Sequence, residues 1–123
     1  MSATAAQTAV LSGPKSVVER GSEDYPERFL RCGSPPDRLY VIGNVTVLRM
    51  PSLSVVGARK ATPYGRGCAR RFSTLAAARG LVIVSGGARG CDSEAHRATI
   101  AEGAPTVAFL GGGCDRIYPA ENA

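Results

Sequence analysis

Three short apolar runs constrain the fold of this chain more than any other feature of its sequence. They are LSVV at 53–56, LVIV at 81–84 and TVAF at 106–109, and glycine follows each within a few residues. None alternates with polar residues, and segments with helical spacing join them. Such strands are typical of a parallel sheet that is buried on both faces. The sequence therefore predicts an α/β fold of order β-α-β-α-β, with helices on both faces of the sheet.

Two helices are predicted between these strands. The first, over 63–80, ends at Gly80, and the second, over 92–103, ends at Gly103, with Asp92 as its N-cap. The first helix has an apolar face at helical spacing, with Arg66 and Arg70 on another face. The members of the apolar face are Cys68, Phe72, Leu75 and Ala76.

The 123 residues are enough for one small domain. Residues 1–24 are rich in Ala, Ser, Thr and Gly, and we expect a disordered or remnant leader there. Residues 25–51 predict a short helix or turn between prolines, a strand at RLYVI, and a helical turn ended by Pro51. The chain carries no signal-peptide pattern and no membrane-length apolar run, which predicts a cytoplasmic protein. Four cysteines without a CxxC pair argue against a metal site.

The charge distribution favours an anionic partner. The chain has 15 basic and 10 acidic residues, and residues 38–91 contain no Asp or Glu. The same segment contains nine basic residues: Arg38, Arg49, Arg59, Lys60, Arg66, Arg70, Arg71, Arg79 and Arg89. A positive field of this kind attracts nucleic acid, phosphorylated metabolites or a membrane surface.

The predicted anion site lies where the strands end. In doubly wound sheets, ligands bind outside the carboxyl ends of the strands, where glycine lets a phosphate approach bare N–H groups. The sequence predicts that Gly57, Arg59, Lys60 and the loop from Ser85 to Gly90 form this site, with Gly86 and Gly87 as its bare positions. Neither G-x-G-x-x-G nor a P-loop is present, so the convergence of several glycine turns carries the prediction.

Catalysis has little support in the sequence. His96 is the single histidine and lies one helical turn from Asp92, so a proton relay is possible. A helix cap and a packed histidine explain the same pair, and we favour that interpretation. No catalytic residue, cofactor or metal is predicted. Tyr64 and Tyr118 are the aromatic residues near strand ends, and both base stacking and packing remain open for them.

The ordered motifs identify a family. YPERF, PPDRLYVIGN, LSVVGARKATPYG, IVSGGARGCDSEAH and AFLGGGCDRIYPAEN follow one another between Tyr25 and Asn122. The chain thereby resembles the DNA-processing protein A (DprA/Smf) family. The resemblance implies a Rossmann-like domain that binds single-stranded DNA without catalysis, protects incoming DNA in natural transformation, and helps to load the recombinase RecA. It also implies a homodimer. The DNA-contacting positions that it implies are Gly57, Arg59, Ser85, Gly86, Ala88, Arg89, Gly90 and Asp92.

Some features depart from the family pattern. Ala58 replaces the usual serine of the first turn, Gly87 replaces a frequent Leu or Met, and Cys91 replaces an aliphatic residue. Residues 25–123 correspond to only the first half of the family's Rossmann-like domain. With strand order 3-2-1, the LSVV strand is predicted to be an open apolar edge. We therefore expect a fragment, a truncated product or a half that needs a partner chain.

Two other functions remain as alternatives. The first is a Rossmann-like nucleotide-binding enzyme, for example a nucleoside monophosphate phosphoribohydrolase, although the PGGxGT and glutamate of such enzymes are absent. The second is a non-functional remnant that does not fold alone.

Overall fold

The computed structural model of this protein describes residues 14–87 and 89–111. They form two sheets, two α-helices and two short 3₁₀ helices. The strands are β1 (Lys15–Glu19), β2 (Arg38–Ile42), β3 (Ser52–Ser54), β4 (Val82–Gly86) and β5 (Thr106–Phe109). The helices are α1 (Pro63–Ala78) and α2 (Cys91–Ala101), and the 3₁₀ helices span Glu27–Arg31 and Val45–Arg49.

The parallel sheet has the order β3-β4-β5 and confirms the predicted fold class. Strand β4 is central, and its Val82 and Ile83 are fully buried. Leu53 of β3 aligns with Ile83, and Val84 aligns with Val107 of β5. The LSVV run therefore lies at an edge of the sheet, as predicted.

The prediction that LSVV is a buried strand is wrong. Strand β3 is only three residues long, and Leu53 is 40% exposed. An apolar run predicts burial only if a neighbour covers each side, and β3 has a hydrogen-bonded neighbour on one side within the described residues.

The two faces of the sheet are covered differently. Helices α1 and α2 pack against each other and against β4, where Ile83 contacts Ala76 and Ala95. On the opposite face, residues of both 3₁₀ helices, including Phe29 and Val47, line a cavity of about 220 Å³ with Val84 and other sheet residues. The α-helices thus share one face, and the shorter 3₁₀ helices lie along the other.

The apolar face read from the sequence of α1 is not its buried face, except at Ala76. The buried residues are Ala69, Ser73, Ala76 and Ala77, whereas Phe72 is 59% exposed and Leu75 is 44% exposed. Small residues form the buried stripe because α1 packs closely against α2. The larger apolar side chains therefore lie on the outer face of α1.

The described part of the predicted leader is ordered, which corrects that prediction. Residues 15–19 form β1, which pairs antiparallel with β2 from Lys15↔Ile42 to Glu19↔Arg38. Val18 is buried while Val17 is exposed, so two adjacent valines alternate across this ribbon. Residues 1–13, the rest of that prediction, lie outside the described residues.

In the described part of the chain, no helix is long and apolar enough to cross a membrane.

The described cysteines, Cys32, Cys68 and Cys91, are free thiols, and Cys91 is buried at the start of α2.

Candidate functional site

The loops after β3 and β4 contact each other at the carboxyl edge of the sheet. The backbone N–H of Cys91 donates to the carbonyl of Ala58 at 3.3 Å. Gly90 has φ +80°, and a Cβ there would lie against the carbonyl oxygens of Ala58 and Arg59, within 2.5 Å of the latter. A Cβ on Gly57 would lie 2.7 Å from the Cβ of Cys91. The close approach of these loops therefore depends on glycine on both sides.

Asp92 lies over the end of β4. It is 8% exposed, and a Cβ on Gly86 would lie 2.8 Å from its Oδ2 atom. The prediction that Asp92 is the N-cap is wrong, because Gly90 occupies that position and provides no side-chain cap. Asp92 instead lies in the first turn of α2, where the helix dipole favours a carboxylate.

The loop after β4 also reaches the end of β5. A Cβ on Gly87 would lie 2.8 Å from the Cδ2 atom of Leu110. The structure thus places Gly57, Gly86, Gly87 and Gly90 at one edge, where each is close to another loop or to the start of α2. Ala88 lies outside the described residues.

Ser85 is used inside the sheet. It is 4% exposed, and its hydroxyl donates to the Val55 carbonyl at 2.5 Å. This bond ties β4 to the chain that follows β3. The phosphate contact predicted for Ser85 stays a prediction, and the contact seen in the structure is with Val55.

His96 joins the ends of β4 and β5. Its Nε2 lies 2.7 Å from the Gly86 carbonyl, and its Nδ1 lies 2.7 Å from the Thr106 hydroxyl. A carbonyl can only accept, so Nε2 carries a proton. Both ring nitrogens are engaged with the strands. This arrangement fits the interpretation of His96 as a packed residue rather than as a proton relay with Asp92.

The fold neutralises part of the acid-free segment with carboxylates from outside it. Arg38 pairs with Glu19 at 3.1 Å, Arg49 with Asp24 at 3.7 Å, and Arg70 with Glu94 at 3.6 Å. Three of the nine basic residues are therefore paired with acids that tertiary contacts bring close.

Exposed positive charge also lies at the loop edge. Arg59 and Lys60 are exposed, and neither is in an ion pair with any residue of 14–87 or 89–111. Arg89 is exposed in the facing loop. Arg66 bends back toward this edge, and its Nε donates to the Ala61 carbonyl at 3.2 Å. The edge therefore presents exposed cations, which are suited to binding phosphate groups.

Tyr64 lies beside this edge, as the second residue of α1. Its side chain is 79% exposed, so it is not a core residue. A hydrogen bond with the Cys68 thiol, one turn further along, raises the pKa of Tyr64 above its ordinary value. Tyr118, the other aromatic candidate, lies outside the described residues.

Comparison with known proteins decides the family. The sequence pattern of the family described as DNA recombination-mediator protein A matches residues 16–123. The chain belongs to this family. The match begins at the second residue of β1. It therefore covers nearly all of a strand that the sequence predicted to be part of a leader.

Several relatives in this family are DNA-processing proteins. Protein Smf of Escherichia coli is 36% identical over 107 residues, covering 87% of this chain and 29% of Smf. DprA of Bacillus subtilis is 34% identical over 108 residues, covering 87% of this chain and 36% of DprA. The chain therefore spans about a third of the length of these relatives.

Solved structures agree with the fold. DprA from Streptococcus pneumoniae superposes with a TM-score of 0.80 at 31% identity, covering 88% of this chain and 38% of that one. DprA from Helicobacter pylori, described for its unique single-stranded DNA binding mode, superposes with a TM-score of 0.76 at 31% identity. It covers 89% of this chain and 48% of that one. This family of DNA-processing proteins has the Rossmann-like fold seen here.

Proposed function

We propose that this chain binds single-stranded DNA at the carboxyl edge of its parallel sheet, through phosphate contacts and without catalysis. One observation carries the proposal: Arg59 and Lys60 are exposed, without an ion-pair partner in the described residues, on a loop that packs against the Gly90 turn. Phosphate contacts of this kind give affinity with little base preference. The DNA-binding relative from Helicobacter pylori supports DNA as the ligand.

Within this proposal, the predicted site residues have different roles. Arg59, Lys60 and Arg89 supply positive charge, and Gly86, Gly87 and Gly90 let the neighbouring loops pack closely enough to hold these cations at one edge. Ser85 and Asp92 are buried, so they hold the loops in place.

Removing the two unpaired cations is expected to weaken DNA binding. The variant Arg59→Ala/Lys60→Ala loses two phosphate contacts, so the slope of log K against log salt should become shallower by about 1.4. Fluorescence anisotropy of a labelled thymidine-only strand at several salt concentrations measures both affinity and slope.

The matched control removes two other exposed arginines. Arg31 ends the first 3₁₀ helix, and Arg97 lies on the solvent face of α2, so Arg31→Ala/Arg97→Ala makes the same change in net charge. We expect this control to keep most of the salt slope. Equal losses in the two variants, or salt-insensitive binding by the wild type, would contradict phosphate contacts at the loop edge.

The absence of catalysis is also part of the proposal. Its rival is the phosphoribohydrolase reaction, in which a nucleoside monophosphate would occupy the same loops. Release of free base from nucleoside monophosphates incubated with the protein would overturn the non-catalytic assignment.

We extend the proposal to the cellular role. The family description as a recombination mediator supports a function in loading RecA onto single-stranded DNA, with protection of incoming DNA in natural transformation. Both steps place the protein in the cytoplasm. RecA assembly on single-stranded DNA that proceeds at the same rate with and without this chain would contradict the loading role.

A homodimer is the last part of the proposal, and the outer face of α1 supports it. Leu53, Val56, Phe72 and Leu75 line a groove of about 630 Å³ beside the open β3 edge. Each of these side chains is at least 40% exposed. Apolar exposure on this scale is typical of an interface.

Sedimentation equilibrium tests this dimer. Leu75→Lys places a charge in the groove and is expected to shift the chain to the monomer. The control Ile100→Lys changes a residue that is 65% exposed on α2 and should leave the dimer intact. A wild-type monomer at all concentrations would exclude the dimer.

A further inference from the structure

Tyr64 is an exposed aromatic residue in the first turn of α1. Its side chain is 79% exposed, although this end of α1 contacts the loop after β4 through Gly65 and Cys91. With most of its surface uncovered, the ring presents a face to solvent.

The surroundings of Tyr64 are positively charged. Lys60 precedes it by four residues, so their Cα atoms lie no more than about 14 Å apart. Arg66 follows it by two residues and donates to the Ala61 carbonyl of the same loop. No Asp or Glu occurs between residues 38 and 91. A strand bound at Lys60 therefore has to extend no more than about 14 Å to reach the backbone of Tyr64.

The first turn of α1 also contacts the second loop. The Cys91 thiol lies 3.9 Å from the Gly65 carbonyl, next to Tyr64 in the chain. Both glycine loops and the aromatic ring thus belong to one continuous edge. Phe72, the other exposed aromatic residue of α1, lies eight residues further along the helix, about 12 Å from Tyr64.

We infer that Tyr64 is a stacking platform for a nucleobase of the strand whose phosphates contact Arg59 and Lys60. The inference rests on the proposed function, and it adds a contact to the bases. Every base has a π-face, so this contact increases affinity for single strands without selecting sequence. It also disfavours duplex DNA, whose bases are stacked on one another.

Two probes of equal length separate stacking from phosphate contacts. One is a labelled thymidine-only strand, and the other is an abasic strand with the same phosphates and no bases. Tyr64→Ala in the full chain is expected to weaken binding of the thymidine strand about 5- to 150-fold. Its affinity for the abasic strand should change less than about twofold. Tyr64→Phe keeps the ring and should bind both strands like the wild type.

Tyr40→Ala is the matched control, because it removes another tyrosine, 65% exposed, from the β1–β2 ribbon rather than from the loops or the proposed dimer groove. It should leave both affinities unchanged. The chain has four tyrosines and no tryptophan, so tyrosine fluorescence gives a second readout. The thymidine strand should quench this emission in the wild type and quench it less in Tyr64→Phe.

The outcomes distinguish this inference from the proposed function. If Tyr64→Ala weakens the binding of both strands equally, or of neither strand, the stacking inference is wrong. Loss of binding in Arg59→Ala/Lys60→Ala would still support the phosphate site. If the wild type binds neither strand, both proposals are wrong.

Discussion

Replacing Gly90 by alanine is expected to lower the free energy of unfolding by about 2–4 kcal/mol and to weaken DNA binding. Two causes add. The backbone at Gly90 has φ +80° and ψ −127°, a conformation that side chains disfavour. A Cβ would also meet the carbonyl oxygens of Ala58 and Arg59, which belong to backbone and cannot rotate away. The loop that carries Arg59 and Lys60 must therefore move.

Gly103→Ala is the matched control for this variant. Gly103 also has a positive φ, of +70°, but a Cβ there meets nothing within 4 Å. Its cost is therefore only conformational, about 1–2 kcal/mol, and DNA affinity should not change. Urea denaturation followed by circular dichroism gives the stabilities, and anisotropy gives the affinities. If the two variants lose the same stability and the same affinity, the loops do not depend on the contact at Gly90.

The comparison of Gly90 with Gly103 shows how far the sequence predicted the site. Glycine spacing and the basic residues correctly predicted that the loops after β3 and β4 meet at one edge. The same pattern did not distinguish a glycine required by a neighbouring loop from one that only ends a helix. That difference depends on Ala58 and Arg59, which approach Gly90 from 31 or more residues earlier in the chain.

Ser85 and Asp92 show a similar limit. A serine at a strand end and an acid at a helix start have local functions that sequence can propose, namely a phosphate contact and an N-cap. The structure instead gives Ser85 a bond to Val55, and it gives Gly90 the N-cap position. Each outcome depends on the distance between two strands or loops, which local sequence does not encode.

The fold was predicted best where burial is complete. The run at 81–84 became the central strand β4, and the order of strands and helices in the parallel sheet was correct. The apolar spacing of α1 includes Phe72 and Leu75, which are exposed, whereas the smaller Ala69 and Ser73 are buried. Close packing of α1 on α2 favours small residues at the contact. The small residues of this helix are therefore buried, and its large apolar residues are exposed.

Strand β1 of the β1–β2 ribbon was not predicted from the sequence. Its only buried residue in β1 is Val18, so the apolar pattern is too weak to predict a strand. Pairing with β2 supplies the backbone hydrogen bonds, and Tyr25 closes the connection with a hydrogen bond of 2.7 Å to the Pro36 carbonyl. Ordering at this end therefore comes from contacts between segments.

Ile83→Ala is expected to have the largest effect on stability, because β4 supplies the fully buried centre of a small sheet. Ile83 is fully buried and contacts Ala76 of α1 and Ala95 of α2. Those alanines are too small to fill the space that the substitution leaves, so a loss of about 2–5 kcal/mol is expected. Ile83→Val should lose only about 0.5–1.5 kcal/mol.

Ile100→Ala is the control, since it makes the same substitution on the solvent face of α2. Ile100 is 65% exposed, so its variant should lose about 1 kcal/mol or less. Thermal melts followed by circular dichroism measure the series. A cooperative wild-type transition, with Ile83→Ala melting far below Ile100→Ala, would show that the chain folds around β4. A wild type without a cooperative transition would instead support the remnant alternative, and equal effects of the two variants would contradict the burial of Ile83.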